Sequence, residues 1–265
     1  MNQLLLPTSY LPPLSYVALL LDCPCATIEI HETYPKQTHR NRCEIMTANG
    51  IMRLSVPVVR TSGNHTTTSD ITVSYAERWN IQHIRAIESA YSMTPYFLYL
   101  WDDLKAILLR RHDRLIDLNS EIMRYLLAKL NISCELQYSE DYISPQQASN
   151  NQQLDMRNMF AHNPSSEANP LTQLSHKSES NDSERRQSLT HSRINTLTHS
   201  LTSSHINTLT HSLTQSSIQA FKQLKYYQLW ADRLGFCPNL SIIDLLFNIG
   251  PAEARKYLSS LKADT

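Results

Sequence analysis

Residues 3–31 read QLLLPTSYLPPLSYVALLLDCPCATIEIH, and this stretch decides the fold. Gln3 to Leu6 is a short apolar run that reads as a buried strand. Pro12-Pro13 can open a helix, because a first-turn amide has no intrahelical partner to lose, and Leu14 to Leu21 continues it. Thr27-Ile28-Glu29-Ile30-His31 then alternates, with Ile28 and Ile30 on one face and Thr27, Glu29 and His31 on the other. Strand, helix and strand over about 30 residues predict a βαβ unit with parallel strands. Ligands of such units sit beyond the carboxyl ends of the strands. The loop Thr8-Ser9-Tyr10-Leu11 and the segment after His31 therefore share one rim.

Working outward, Arg42 to Thr47 and Ile51 to Val59 flank Asn49-Gly50, the favoured pair for a type I′ hairpin turn. Pro57 marks an edge strand. Ile71 to Tyr75 reads as another short strand. Helices follow over Trp79 to Met93, Tyr96 to Arg110 and Arg114 to Leu130, with a strand near Ser133 to Tyr138. The expected class is mixed α/β: a small mixed sheet with covering helices, interrupted by a long disordered insertion.

Residues 1–143 form the main part. From 144 to 217 the composition turns to Ser, Thr, Asn, Gln and His, with a twelve-residue repeat beginning at Ser188. So few large apolar groups cannot pack, which predicts a disordered insertion. A β-solenoid, or a metal patch of His191, His199, His205 and His211, is the other reading of the repeat. Residues 218–265 form C-terminal helices that dock on the main part. Ile242, Leu245, Leu246 and Ile249 make an apolar stripe there, Gly250 stops that helix and Pro251 opens the last one.

Several function classes are excluded. Lys+Arg and Asp+Glu both number 24, so net charge gives no support to nucleic-acid binding. Gly50, Gly63, Gly235 and Gly250 are the only glycines, which rules out a Walker A loop, a G-x-G-x-x-G fingerprint and a G-x-S-x-G elbow. Five scattered cysteines read as free thiols in a reducing cytoplasm. Cys23-Pro24-Cys25 has no second pair to complete a zinc site, so neither metal nor cofactor is expected. Met1 to Leu21 lacks a basic n-region and is broken by prolines, unlike a signal peptide. No run approaches the roughly 18 apolar residues of a membrane span.

Candidate chemistry concentrates in Thr33-Tyr34-Pro35-Lys36-Gln37-Thr38-His39-Arg40-Asn41-Arg42. Lys36, Arg40 and Arg42 suit a phosphate or carboxylate, with Gln37 and Asn41 as neutral donors. The plainer reading is an exposed turn with Arg42 paired to Glu44. Tyr10 and Tyr16 flank the rim and can stack on a sugar or base, or simply pack. His83 is the candidate general base, set against a core-edge histidine bonded to backbone. Glu29 and Glu32 can orient a histidine or bind a sugar hydroxyl. Ser241-x-x-Asp244 reads as a capping box. No nucleophile stands out.

Tyr10-Leu11-Pro12-Pro13 with Tyr16, then Tyr34 to Arg42, then Asn49-Gly50 through Val58, form an ordered series of motifs. Trp79, His83, Ala86-Ile87, Ala90-Tyr91 and Thr94-Pro95-Tyr96-Phe97 continue it. Gly235-Phe236, Pro238 to Ile242 and Asp244 to Asn248 close it. In this order they resemble the WbqC-like family of bacterial proteins, in particular its Bacteroidetes-type branch. The resemblance implies a transferase of surface-polysaccharide (O-antigen type) biosynthesis, with acyl or glycyl transfer to an amino sugar. Its small-molecule substrate would be a sugar nucleotide or another activated donor. A non-catalytic accessory or scaffold protein with a protein partner is the alternative, so the residues leave enzyme and binder both open. The long insertion departs from the family pattern, as does Ile249, where an acidic residue is common.

Overall fold

A computed structural model of the chain describes residues 3–160 and 224–263. The βαβ unit forms as read: β1 (Gln3–Pro7), α1 (Leu14–Leu20) and β2 (Cys25–Glu29). β1 and β2 are parallel, with Leu4 opposite Ala26 and Pro7 opposite Glu29. A hairpin of β3 (Arg42–Thr47) and β4 (Gly50–Ser55) follows, then the short pair β5 (Val58–Val59) and β6 (Thr72–Val73). Three helices come next: α2 (Trp79–Tyr91), α3 (Phe97–Leu109) and α4 (Leu115–Leu130). β7 (Glu135–Tyr138), α5 (Pro145–Asn150) and β8 (Gln153–Asp155) complete the front of the chain. After residue 224 come α6 (Ala231–Leu234) and α7 (Ile242–Ala263).

The class is mixed α/β, and the mixture lies between sheets. The main sheet has the order β7-β2-β1-β8 with every pairing parallel, while the two small sheets are antiparallel. Strand order reverses between β1 and β8, so the region beyond Pro7 and Asp155 lies at the topological switch point, the place where open α/β sheets take ligands.

The hairpin turn differs from the expectation. Thr47 faces Gly50, so the connection is Ala48-Asn49. Neither has the positive φ that a type I′ turn demands, and Gly50 takes a φ of 113° after the turn. The Thr47 hydroxyl organises it, accepting from Asn49 N and donating to Gly50 O.

The front of the 144–217 segment is built into the fold. Ser144 and Gln147 make a reciprocal capping box with Pro145 in the first turn of α5. Leu154 pairs beside Leu4, and Met156 and Phe160 are buried. A few apolar anchors suffice, and an average over the polar segment dilutes them. The histidine repeat from Ser188 lies outside the described residues.

The C-terminal segment is clamped to the rim loop. Leu14 N donates to Leu240 O, Ile242 N to Pro12 O, and the Ser241 hydroxyl to Leu11 O. These bonds hold Leu11, a buried residue, at a φ of 41°, which branched side chains rarely adopt. Ser241 is thus used on the loop, and Asp244 turns to Tyr91 and Tyr226, so the expected capping box is not made. Gly250, at φ 78°, breaks α7 where Pro251 follows, as the sequence indicates. Among the described residues no helix is long and apolar enough to cross a membrane.

Candidate functional site

The carboxyl ends of β2, β7 and β8 meet in a largely buried charged network. Glu29, at the end of β2, is fully buried. Its carboxylate accepts from His31 N at 2.7 Å, the Ser139 hydroxyl at 2.9 Å and Ile143 N at 2.9 Å. Arg157, just past β8, grips Asp155 through Nε at 2.9 Å and Nη2 at 2.6 Å, and places Nη1 3.6 Å from Glu29. Burial alone would disfavour these charges; pairing and backbone donors offset the cost.

The basic segment rises beside this network and its members separate. Lys36 and Gln37 are exposed, and Gln37 turns the chain with a φ of 61°. Arg40 is buried, donating to Glu32 Oε1 through Nε at 2.8 Å and Nη2 at 2.5 Å. Its Nη1 finds no hydrogen-bond partner among the described residues. Asn41 is also buried and is spent on the Val56 carbonyl at 2.8 Å. Arg42 is half-buried, and its Nε lacks a partner among the described residues. Glu44 pairs with Arg53. Around the buried Tyr34 phenol, burial pushes the pKa up to about 12, while the charges of Arg40, Arg60 and Arg42 pull the other way. Three guanidiniums therefore share one neighbourhood, and buried donor capacity there is left unused.

Tyr10, Tyr16 and His83 belong to the core. The Tyr10 hydroxyl lies 2.9 Å from His83 Nδ1, and Trp79 packs edge-on against both rings. A backbone hydrogen bond with Ser55 favours the protonated ring, but burial outweighs it and holds the ring neutral with a pKa lowered to about 4. His83 is placed to fix Tyr10 and has no face toward solvent. Tyr16 is fully buried, donating to Pro7 O at 2.8 Å and packing on Phe160. Burial raises the Cys43 thiol well above its ordinary range, removing it as a thiolate.

The sequence reading missed Arg157, Ser139 and Asn119. Arg157 was hidden in the polar segment. Asn119 had a visible signal: it sits on the apolar face of α4, between Leu115 and Ile122, where a polar residue needs a reason. It donates to Thr8 Oγ1 at 3.0 Å and Arg40 O at 2.8 Å, tying α4 to the rim.

Fold and geometry together define a mixed α/β protein whose candidate site lies at the carboxyl rim of a small parallel sheet. The chain belongs to the WbqC-like protein family, whose model matches residues 8–179, more than half of the chain. It is also similar to the Uncharacterized protein Rv1507c of Mycobacterium tuberculosis (strain ATCC 25618 / H37Rv). The two are 27% identical over 252 residues, covering 95% of this chain and 94% of that one. No solved structure matches.

Proposed function

We propose that this protein is a transferase of bacterial surface-polysaccharide biosynthesis, moving an acyl or glycyl group from an activated donor to an amino sugar. The observation that carries the reading is the basic segment at the carboxyl rim, with buried Arg40 Nη1 and half-buried Arg42 Nε left without partners among the described residues. Unused guanidinium capacity beside a switch point suits a phosphate or carboxylate. Lys36 adds a mobile charge from the exposed turn, with Gln37 as a neutral donor. The sugar amine forms the new C–N bond, and the donor's leaving group departs with its electron pair and takes up the proton that the amine gives up. His83 shapes the rim through Tyr10 and does not meet the substrate.

A thermal-shift screen of the full chain against sugar nucleotides, other nucleotides and acyl donors tests this, with Lys36→Ala/Arg42→Ala as control. A stabilisation lost in the double variant supports the reading. No shift with any compound removes it and favours an accessory or scaffold protein. One observation already favours that second reading: Lys36 is exposed, Arg42 half-buried and His83 closed in the core, so they do not converge on one cleft.

A further inference from the structure

A groove of about 770 Å³ runs between α4 and β7, the edge strand of the main sheet, with Ile30, just past β2, also lining it. That volume is in the range of small-molecule sites. None of the residues singled out in the sequence as substrate-binding or catalytic lines it. Its floor is apolar, formed by Ile30, Ile116, Leu127 and Leu136.

The rim carries charge in an ordered way. Glu121 pairs with Arg110, and its other carboxylate oxygen lies 2.6 Å from His112 Nε2. Arg114 and Arg124 are exposed and form no ion pair among the described residues. Ten positions of helix separate them, about 15 Å along the axis. Arg124 folds back one turn, its Nε donating to Ser120 O at 3.3 Å, which draws its guanidinium along the groove rim toward the Arg114 end of α4. α4 begins without a side-chain cap, and Arg114 at its N-cap with Ile116 and Asp117 of its first turn line the groove. Asp117 is the remaining carboxylate on this rim.

Behind the groove lies a recess with room for about one water-sized group. Tyr138 and Ser120 line both spaces, and the Tyr138 hydroxyl donates to Ser120 Oγ at 2.5 Å across the boundary. Thr8 and Asn119 line the recess. The Asn119 amide nitrogen must face Arg40 O, which can only accept, so Oδ1 is fixed the other way. Asn119 is 1% exposed, and Oδ1 has no donor among the described residues. A buried acceptor left open in this way calls for a hydroxyl or amine.

We propose that this groove binds a phosphorylated sugar, its phosphate on Arg114 and Arg124 and one hydroxyl or amino group in the recess against Asn119. The apolar floor takes the face of the sugar ring. No residue from Lys36 to Arg42 lines the groove, although Arg40 O holds the Asn119 amide, and the proposal does not depend on the transferase reading.

Isothermal titration of the full chain with glucosamine 6-phosphate, glucosamine and inorganic phosphate tests it. The sugar phosphate is expected to bind at least about tenfold more tightly than either half, since each half forfeits one set of contacts. Arg114→Ala/Arg124→Ala changes only exposed side chains, so it leaves the fold intact. It is expected to weaken binding by about tenfold or more, while Lys36→Ala/Arg42→Ala still binds the sugar phosphate about tenfold more tightly than either half. Equal binding of inorganic phosphate and the sugar phosphate would overturn the proposal, as would wild-type affinity in the Arg114/Arg124 variant or no binding of the three probes. Loss of binding in the Lys36/Arg42 variant alone would also overturn it, yet leave the transferase reading standing.

Discussion

The Tyr91 hydroxyl donates a 2.8 Å hydrogen bond to Asp244, joining α2 to α7 across 153 positions of sequence. Tyr226 and Gln228 complete the shell around the same carboxylate, at 2.6 and 3.0 Å. Asp244 is buried, and among the described residues no cation lies within ion-pair distance of it. Burial therefore outweighs its three donors and raises its pKa from 3.8 to about 6.

The sign of the resulting pH dependence is fixed. Between those values the native state keeps a proton that the unfolded chain has released, so this contribution to stability falls as pH rises through about 6. The size is about 3 kcal/mol, from roughly 1.4 kcal/mol per pKa unit. In urea unfolding, Asp244→Asn should gain on the wild type by about that amount between pH 4 and pH 7. A difference that stays constant across this range would show that Asp244 titrates normally.

His83 gives the opposite slope. Its pKa is lowered from 6.5 to about 4, so the unfolded chain takes up a proton that the folded one refuses. Its stabilising contribution is present above 6.5 and is lost as pH falls through about 4. His83→Gln keeps a neutral partner for Tyr10 and should remove this acid-side loss. His83→Ala strands the Tyr10 hydroxyl in the core and opens a cavity, costing about 2–4 kcal/mol at neutral pH. Circular dichroism during denaturation at several pH values separates the two effects.

Arg157 is the cation that balances Glu29 and Asp155 beneath the rim. Removing one partner of a buried pair leaves an uncompensated charge, so Arg157→Ala should cost about 3–5 kcal/mol. Arg157→Met, which keeps the volume and loses the charge, should be nearly as damaging. If both variants unfold at the wild-type urea midpoint, the network does not hold the rim.

Gly250 combines a φ of 78° with close approach to Tyr96, whose ring a Cβ would meet at 2.5 to 2.7 Å. Gly250→Ala should destabilise by about 2 kcal/mol or more, through backbone strain and the clash. Tyr96→Ala/Gly250→Ala should recover the clash and leave the strain. A double-mutant cycle in thermal unfolding reads the two apart; purely additive effects would sink the contact.

The elements that sequence disclosed are those set by local rules. The 2.0 period of Thr27 to His31, the prolines before Leu14 and the Gly250-Pro251 break act within a few residues; the helix start and the break formed where they were read, and the strand formed over Cys25–Glu29, ending before Ile30 and His31. Failures came where local chemistry had a choice. Asn49-Gly50 admits more than one turn, and the Thr47 hydroxyl selected the one observed. Ser241 and Asp244 had the spacing of a capping box, but Leu11 and Tyr91 offered partners that only packing supplies.

The same division runs through the site. The sequence by itself determined a parallel βαβ start, a rim beyond its strands and a basic segment next to that rim, because period, proline chemistry and charge are written locally. Only the tertiary structure decided that Arg40 turns inward to Glu32, that His83 is spent on Tyr10, and that Arg157 comes from beyond β8 to neutralise Glu29. Those outcomes depend on which distant groups burial brings within hydrogen-bond reach, and no spacing along the chain encodes that distance.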